Sequence, residues 1–298
     1  MTDTQSQTFS DRLLGFAIPE RHCRGRTVRL GPVLDEILSA HDYPTALRHC
    51  LSEALVLAAL MGGLLKGEGD QLTMQAQSEG GIANLLVCDY RDGELRGYIE
   101  HDPARFADGG ASASLTTLFG RGHLAITFDI AKTGKRYQGI VPLEGESLSA
   151  AVESYFAQSE QVPTRIRTAI SSGASGTLAA GLLVQHLPDG EEGRERLHAR
   201  LDHPEWEHVS ILADSLRHEE LADPELPLEE LIWRLYHEED QVRVLPGPVL
   251  GKGCRCTEAH FEDVLSRFPK EDRREMADDD GMIVVDCAFC SRAFAIQD

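Results

Sequence analysis

Positive charge is scarce in this chain. Across 298 residues, 29 lysines and arginines stand against 49 aspartates and glutamates, a formal net charge of −20. That balance repels nucleic-acid phosphates and anionic membrane surfaces and argues against both as partners. Long apolar runs are missing too. The longest, Ala54 to Leu65, is interrupted by Gly62 and Gly63 and falls short of the about 20 residues a bilayer span needs. Met1-Thr2-Asp3-Thr4-Gln5-Ser6 has no basic stretch leading into an apolar one, so export is not expected and the chain reads as cytoplasmic. Catalytic signatures are equally thin. Thr133-Gly134-Lys135 lacks the rest of a phosphate loop and reads as a turn. Ser172-Gly173-Ala174-Ser175-Gly176 has no Lys-Ser or Lys-Thr behind it and reads as a flexible connection. No Ser/His/Asp or paired-carboxylate spacing stands out, and the expectation is a protein that is not an enzyme.

What is present is a cysteine pattern. Four of the seven cysteines fall in two tight pairs, Cys254-Arg255-Cys256 and Cys287-Ala288-Phe289-Cys290, with thirty residues between them. Structural Zn²⁺ takes four ligands in a tetrahedron, usually from two close pairs that the fold brings together. A permanent disulfide set would need an oxidising compartment, and a thioredoxin-like C-x-x-C would need a βαβ setting; neither fits. The expectation is one Zn²⁺ per chain on Cys254, Cys256, Cys287 and Cys290. His260 adds nothing to a set already complete. Phe261, Val264, Leu265 and Phe268 recur at helical spacing after a capping Thr257, and Gly281 to Val285 reads as a strand leading to Cys287. Residues 250–298 form a unit too small to fold without a staple. Structural zinc supplies about 10–16 kcal/mol of such folding free energy. Cys23, Cys50 and Cys88 read as packed or incidental thiols.

Residues 1–188 read as one α+β domain of mainly antiparallel sheet. Helices are expected over 33–39, 44–65 and 147–158, the last capped by Ser147. Strands are expected over 71–77, 82–90, 95–100, 123–130, 136–143, 165–170 and 179–185, with turns at Asp92-Gly93 and Thr133-Gly134. The character changes in 189–249. From Asp189 to Arg243 there are seventeen acidic and six basic residues, no lysine, and five histidines: His198, His203, His208, His218 and His237. Those histidines read as a solvated face able to titrate near neutral pH. Val209, Leu212, Ala213 and Leu216, then Leu228, Leu231, Ile232 and Leu235, predict short amphipathic helices, each marginal without a partner surface. The segment reads as a metastable helical linker, and Pro246-Gly247-Pro248 marks its junction with the cysteine unit.

Taken in order, several motifs resemble the heat-shock protein 33 family of redox-regulated holdase chaperones. They are Val28-Arg29-Leu30, His41-Asp42-Tyr43-Pro44, Arg96-Gly97-Tyr98, Tyr137-Gln138-Gly139-Ile140-Val141 and Tyr155-Phe156-Ala157-Gln158-Ser159-Glu160-Gln161. The acidic segment and the two cysteine pairs follow at the family's separation. Gly80-Gly81 departs from the family's frequent Gly-Pro, and the chain carries a few extra polar residues at its start. The resemblance implies an α+β core, a helical linker and a zinc domain. It implies that the reduced, zinc-bound form is inactive and monomeric. Peroxide or hypochlorite with mild heat then forms the disulfides Cys254–Cys256 and Cys287–Cys290, zinc leaves, the linker unfolds, and a dimerising form holds unfolding client proteins without ATP. The two loops are so short that each disulfide adds only about 2 kcal/mol by chain entropy, much less than the metal provides. Two other readings stay open: an enzyme whose zinc is only structural, and a zinc-knuckle adaptor for RNA.

Overall fold

The computed structural model describes residues 11–109, 114–173, 176–187 and 203–297. The start of the acidic segment, with His198, lies outside the described residues.

The fold is built around one helix. After strands β1 (Arg12–Ile18) and β2 (Cys23–Leu30) and a short helix α1 (Pro32–Leu38), helix α2 (Thr45–Gly62) runs through the interior. It packs against strands of both large sheets. The sequence suggests one broad apolar face; in the fold, every residue from Ala54 to Gly62 is buried, so α2 is covered all round. By length and apolarity α2 passes for a membrane span, but 67% of it is buried inside the protein, as expected for the central helix of a core.

The first sheet has the order β10-β1-β2-β9-β8, with β8 (Thr164–Gly173), β9 (Gly176–His186) and β10 (Arg243–Val249). The second has the order β11-β5-β4-β3-β6-β7. Its strands are β3 (Gln71–Glu79), β4 (Ala83–Arg91), β5 (Glu94–His101), β6 (Arg121–Ile130), β7 (Lys135–Pro142) and β11 (Gly251–Lys252). Neighbouring strands in both sheets are antiparallel except β11 beside β5. Helices α3 (Pro103–Gly109), α4 (Leu115–Phe119) and α5 (Leu148–Tyr155) complete this part. Ser147 caps α5 as expected, its side chain accepting from the Ala150 N–H at 3.2 Å. Ser172 and Gly173 lie in β8 and Gly176 in β9, with Gly173 opposite Gly176. Two motif glycines mark close approaches. A Cβ on Gly97 would meet Cys88 Sγ at 2.8 Å, and one on Gly139 would lie 2.3 Å from the Tyr155 ring.

The acidic segment folds as α6 (Pro204–Asp214), α7 (His218–Leu221) and α8 (Leu228–Tyr236). These helices lie on the face of the first sheet away from α2. Their apolar residues, with Trp206, Val209, Leu231, Ile232 and Tyr236 at the centre, pack on Phe16, Ile18, Leu182 and Val184. No residue of the C-terminal unit belongs to that cluster. The packing surface of the segment is therefore the core sheet. Pro246 and Pro248 do not break the chain into a loop: they lie in β10, whose seven residues are all exposed along the sheet edge, where proline is tolerated.

The C-terminal unit holds α9 (Glu258–Leu265), α10 (Lys270–Met276) and the hairpin of β12 (Met282–Asp286) with β13 (Ala293–Gln297). Its buried core is small: Leu265, Ile283, Cys287, Phe294 and Ile296. Phe268 falls beyond α9 and is 42% exposed, so it does not extend the helical stripe.

Candidate metal centre

Strand β11 and the hairpin β12–β13 bring the two cysteine pairs together. The parallel pairing of Gly251 with Glu94, and a Gly253 N–H to Leu95 carbonyl bond of 2.9 Å, fix the chain just ahead of Cys254. Thr257 caps α9 immediately after Cys256 by accepting from the His260 N–H at 3.2 Å. On the other side, the Cys290 and Ser291 N–H groups donate to the Cys287 carbonyl at 3.2 and 2.8 Å. Ser291 takes a left-handed φ of 55°, which closes the knuckle.

The four sulfurs lie within 4.8 Å of one another. Cys254 Sγ is 3.3 Å from Cys256 and 3.6 Å from Cys287, and Cys256 is 3.5 Å from Cys290. A tetrahedral Zn²⁺ with Zn–S bonds near 2.3 Å needs sulfurs about 3.8 Å apart. The set therefore fits a four-thiolate metal ion with only small adjustments. The expected ligands Cys254, Cys256, Cys287 and Cys290 are all brought together, and His260 is outside the set.

The charges around the sulfurs suit that role. Burial works against ionising Cys254, but the Cys256 N–H and the neighbouring thiols hold its pKa below the ordinary value. Burial, with hydrogen bonds from the same cluster, pushes Cys256 up. A divalent ion held by the four sulfurs would stabilise all of them as thiolates. A cleft of about 460 Å³ is lined by Gln71, Arg96, Arg255, Cys256, Cys287 and Phe289, so two of the four cysteines border it.

The same geometry shows what the sequence pattern does not: the cysteine unit is latched to the core. Arg255, between two candidate ligands, donates to Gln71 Oε1 at 3.1 Å and lies 3.6 Å from the Asp89 carboxylate. Asp89 is buried and also takes bonds from Arg96 Nε at 2.7 Å and Thr73 Oγ1 at 2.7 Å. Phe289, inside the second pair, is stacked 4.0 Å under the Arg96 guanidinium and meets Tyr98 edge-on at 5.0 Å. Ser291 is 3.1 Å from His41, whose ring stacks on Tyr43. So two motifs, His41-Asp42-Tyr43-Pro44 and Arg96-Gly97-Tyr98, form the receiving surface for the cysteine knuckle. The signal in the sequence was the motifs themselves, since no spacing ties Asp89 or His41 to residues some two hundred positions away.

Of the remaining thiols, Cys23, Cys50 and Cys88 are buried and far from the cluster in sequence. Burial pushes Cys23 up to about 12 and raises Cys50 and Cys88 as well, so none is a reactive thiolate.

The comparisons with known proteins agree over almost the whole chain. The family model described as "Hsp33 protein" matches residues 11–297. A protein of Caulobacter vibrioides named 33 kDa chaperonin is 39% identical, with 100% of this chain and 99% of that protein aligned. Proteins of the same name from Ectopseudomonas mendocina and Shigella boydii are 37% and 34% identical, over 97% and 95% of this chain and 92% and 91% of their own lengths. Among solved structures, the 33 kDa chaperonin of Thermotoga maritima superposes with a TM-score of 0.76 at 20% identity, covering 96% of this chain and 95% of that one, and so shares the fold.

Proposed function

The chain belongs to the Hsp33 family, and we propose that it is an ATP-independent holdase chaperone, not an enzyme, held inactive by Zn²⁺ on Cys254, Cys256, Cys287 and Cys290 and switched on by their oxidation in the cytoplasm. The observation that carries this reading is the four-sulfur cluster latched to the core through Arg255 and Phe289. We read the chain as a core over 1–188, a releasable linker over 189–249 and a switch unit over 250–298.

The metal, when bound, cross-links the two halves of the switch unit. With hydrogen peroxide as oxidant, each pair of thiolates gives up two electrons to form one S–S bond, and the peroxide takes those electrons with two protons from solvent to give two waters. Cys254–Cys256 and Cys287–Cys290 are the pairs proposed, and each closes only a local loop. Trading about 10–16 kcal/mol of metal-coupled folding for about 4 kcal/mol of loop closure leaves the five-residue core of this unit without support. A Cys254–Cys256 bond also redirects Arg255, which sits between the two sulfurs, away from Asp89 and Gln71. The loosened chain then runs directly into β10, the exposed edge strand that leads back to α8.

Release of α6, α7 and α8 would uncover an apolar sheet face containing Phe16, Ile18, Leu182 and Val184, together with the helices' own apolar sides. Both surfaces suit unfolded chains of mixed sequence, and they also suit a second oxidised copy, so the active form is read as a dimer and the reduced form as a monomer. The carboxylates of the linker keep the open form in solution.

The test is suppression of light scattering by an aggregating client. Reduced, zinc-loaded protein should leave aggregation unchanged, and protein oxidised with peroxide at mildly raised temperature should suppress it without nucleotide, with one zinc lost as four thiols disappear. Equal activity of both forms, or zinc retained through oxidation, would refute the switch.

A further inference from the structure

The linker histidines read from sequence as a solvated face are not all solvated. His203 is half-buried at the N-cap of α6, its ring centroid 5.0 Å from that of His186, which ends β9 and is 4% exposed. Trp206 closes the group at 6.3 Å from His186. We propose that His186, His203 and Glu205 form a second metal site, independent of the cysteines, that takes a divalent transition-metal ion such as Zn²⁺ and clamps helix α6 to strand β9.

One donor atom from each of the three residues lies within 4.8 Å of the others. Glu205 Oε2 is buried and has no hydrogen-bond partner among the described residues. A carboxylate oxygen withdrawn from water without a donor is costly, and a cation is the natural answer to it. Two imidazoles and one carboxylate make a recognised zinc donor set, with a fourth position left for water. Imidazole nitrogen with carboxylate oxygen also favours Zn²⁺, Ni²⁺ or Cu²⁺ over the hard ions Mg²⁺ and Ca²⁺.

Bonds of about 2.0–2.2 Å to nitrogen and oxygen call for donor separations of about 3.3–3.6 Å, so from within 4.8 Å the side chains need draw in by at most about 1.5 Å. His203 and Glu205 are half-buried in the first turn of α6 and can rotate. The bond His203 Nδ1 now accepts from the Glu205 N–H is long, 3.4 Å, and little is lost by giving it up. The positive end of the α6 dipole opposes a cation there, and Glu205 and Glu207 in the first turn offset it. Cys23 pairs across the strands with His186, but its sulfur is not among the converging donor atoms, so the ligand set stands at three.

The experiment uses the reduced full-length chain, equilibrated with Zn²⁺ for elemental analysis and with Co²⁺ for spectroscopy. Wild type should hold two equivalents, and His203→Ala and Glu205→Gln should each hold one, with the thiolate-to-cobalt charge-transfer bands of the cysteine site undiminished. Loss of a ligand should weaken the second site by more than the ~10–100-fold that even an outer partner is worth. With the cysteine site already loaded, the second equivalent of Zn²⁺ should slow proteolysis within α6 in wild type and leave both variants unaffected. Glu205→Gln keeps the size of the side chain, so an unchanged circular dichroism spectrum separates lost ligation from lost folding. A single equivalent in wild type, a second equivalent that survives both substitutions, or α6 cleavage indifferent to Zn²⁺ would each overturn the proposal. Absence of the charge-transfer bands from wild type would instead count against the cysteine site, so the two readings fail separately.

Discussion

The two faces of the five-stranded sheet are covered by very different helices. Strand β9 shows it within three residues: Leu183 points into the main core beside α2, and Leu182 and Val184 point into the cluster beneath α6 and α8. On the first face lies one 18-residue helix with thirteen buried residues and no charge between Ala54 and Gly62. On the second lie helices of eleven, four and nine residues whose docking depends partly on polar bonds. Core arginines reach across to them. Arg29, buried in β2, donates to the carbonyls of Leu226 at 2.7 Å and Leu221 at 3.4 Å. Arg165 meets Asp214 at 3.2 Å, Arg21 meets Glu239 at 2.8 Å, and Arg12 meets Glu229 at 3.1 Å. One sheet thus carries a buried apolar cover and an acidic one seated on arginines, and in the proposed switch the acidic one is the conditional cover.

The comparison breaks most sharply if the switch unit is removed from play. Cys287→Ser with Cys290→Ser should abolish metal binding at the cysteine cluster and the about 10–16 kcal/mol it contributes, unfolding 250–298 without oxidant. Hydrogen exchange should then show α6 to α8 opening readily while α2 keeps its full protection. A variant that stays compact and loses no metal equivalent relative to wild type would contradict the four-cysteine assignment.

Next in size is a matched pair of truncations. Leu55→Ala in α2 and Leu231→Ala in α8 each delete a buried leucine and should each cost about 2–5 kcal/mol. The first should lower the midpoint of the whole-domain denaturant transition. The second should leave that transition nearly unchanged and raise protease sensitivity in the linker, with more client holding before oxidation. Identical global shifts would mean that the two covers unfold as one unit.

Arg29→Met tests the polar half of the conditional cover. It removes both carbonyl bonds but keeps the packing volume, and should loosen the linker by about 1.5–3 kcal/mol. Tyr236→Phe should move the other way. Tyr236 is fully buried beside Phe16, with ring centroids 5.6 Å apart, and its hydroxyl has no hydrogen-bond partner among the described residues. Deleting that oxygen should tighten the linker by about 1 kcal/mol and delay activation.

Which of these features could be read from the sequence follows from their range. The cysteine pairs, the hairpins around Asp92-Gly93 and Thr133-Gly134, and the caps Ser147 and Thr257 are local patterns, and all stand where expected. Strands β1 and β2 were not predicted because Arg12, Arg24, Arg26 and Arg29 interrupt the apolar alternation; in the fold these arginines serve partners on other elements. Strand β10 was hidden by Pro246 and Pro248, which an edge strand accepts. The latch of Arg255 on Asp89 and the His186–His203 pair join distant segments, so periodicity carries no trace of them. The candidate ligands were legible because metal chemistry imposes their spacing; their docking surface was not, because tertiary contacts do.

The smallest effect expected is a pH dependence confined to the conditional cover. The side chain of Glu239, just past α8, is 5% exposed and bonds Arg21 at 2.8 Å and His208 at 2.7 Å. Burial alone would raise its pKa, but the Arg21 and His208 bonds prevail and hold it below the ordinary 4.5. The folded value is thus below the unfolded one, so the unfolded linker takes up protons first as pH falls. The stability this carboxylate contributes is complete above about pH 4.5 and is lost as pH drops through the folded value. Arg21 is 35% exposed, so the pair is partly screened and about 1 kcal/mol is the scale to expect. Glu239→Gln should therefore speed linker proteolysis several-fold at pH 7, and the gap from wild type should close steadily below pH 4.5. A gap that persists at the lowest pH would mean that Glu239 holds the linker by packing and not by charge.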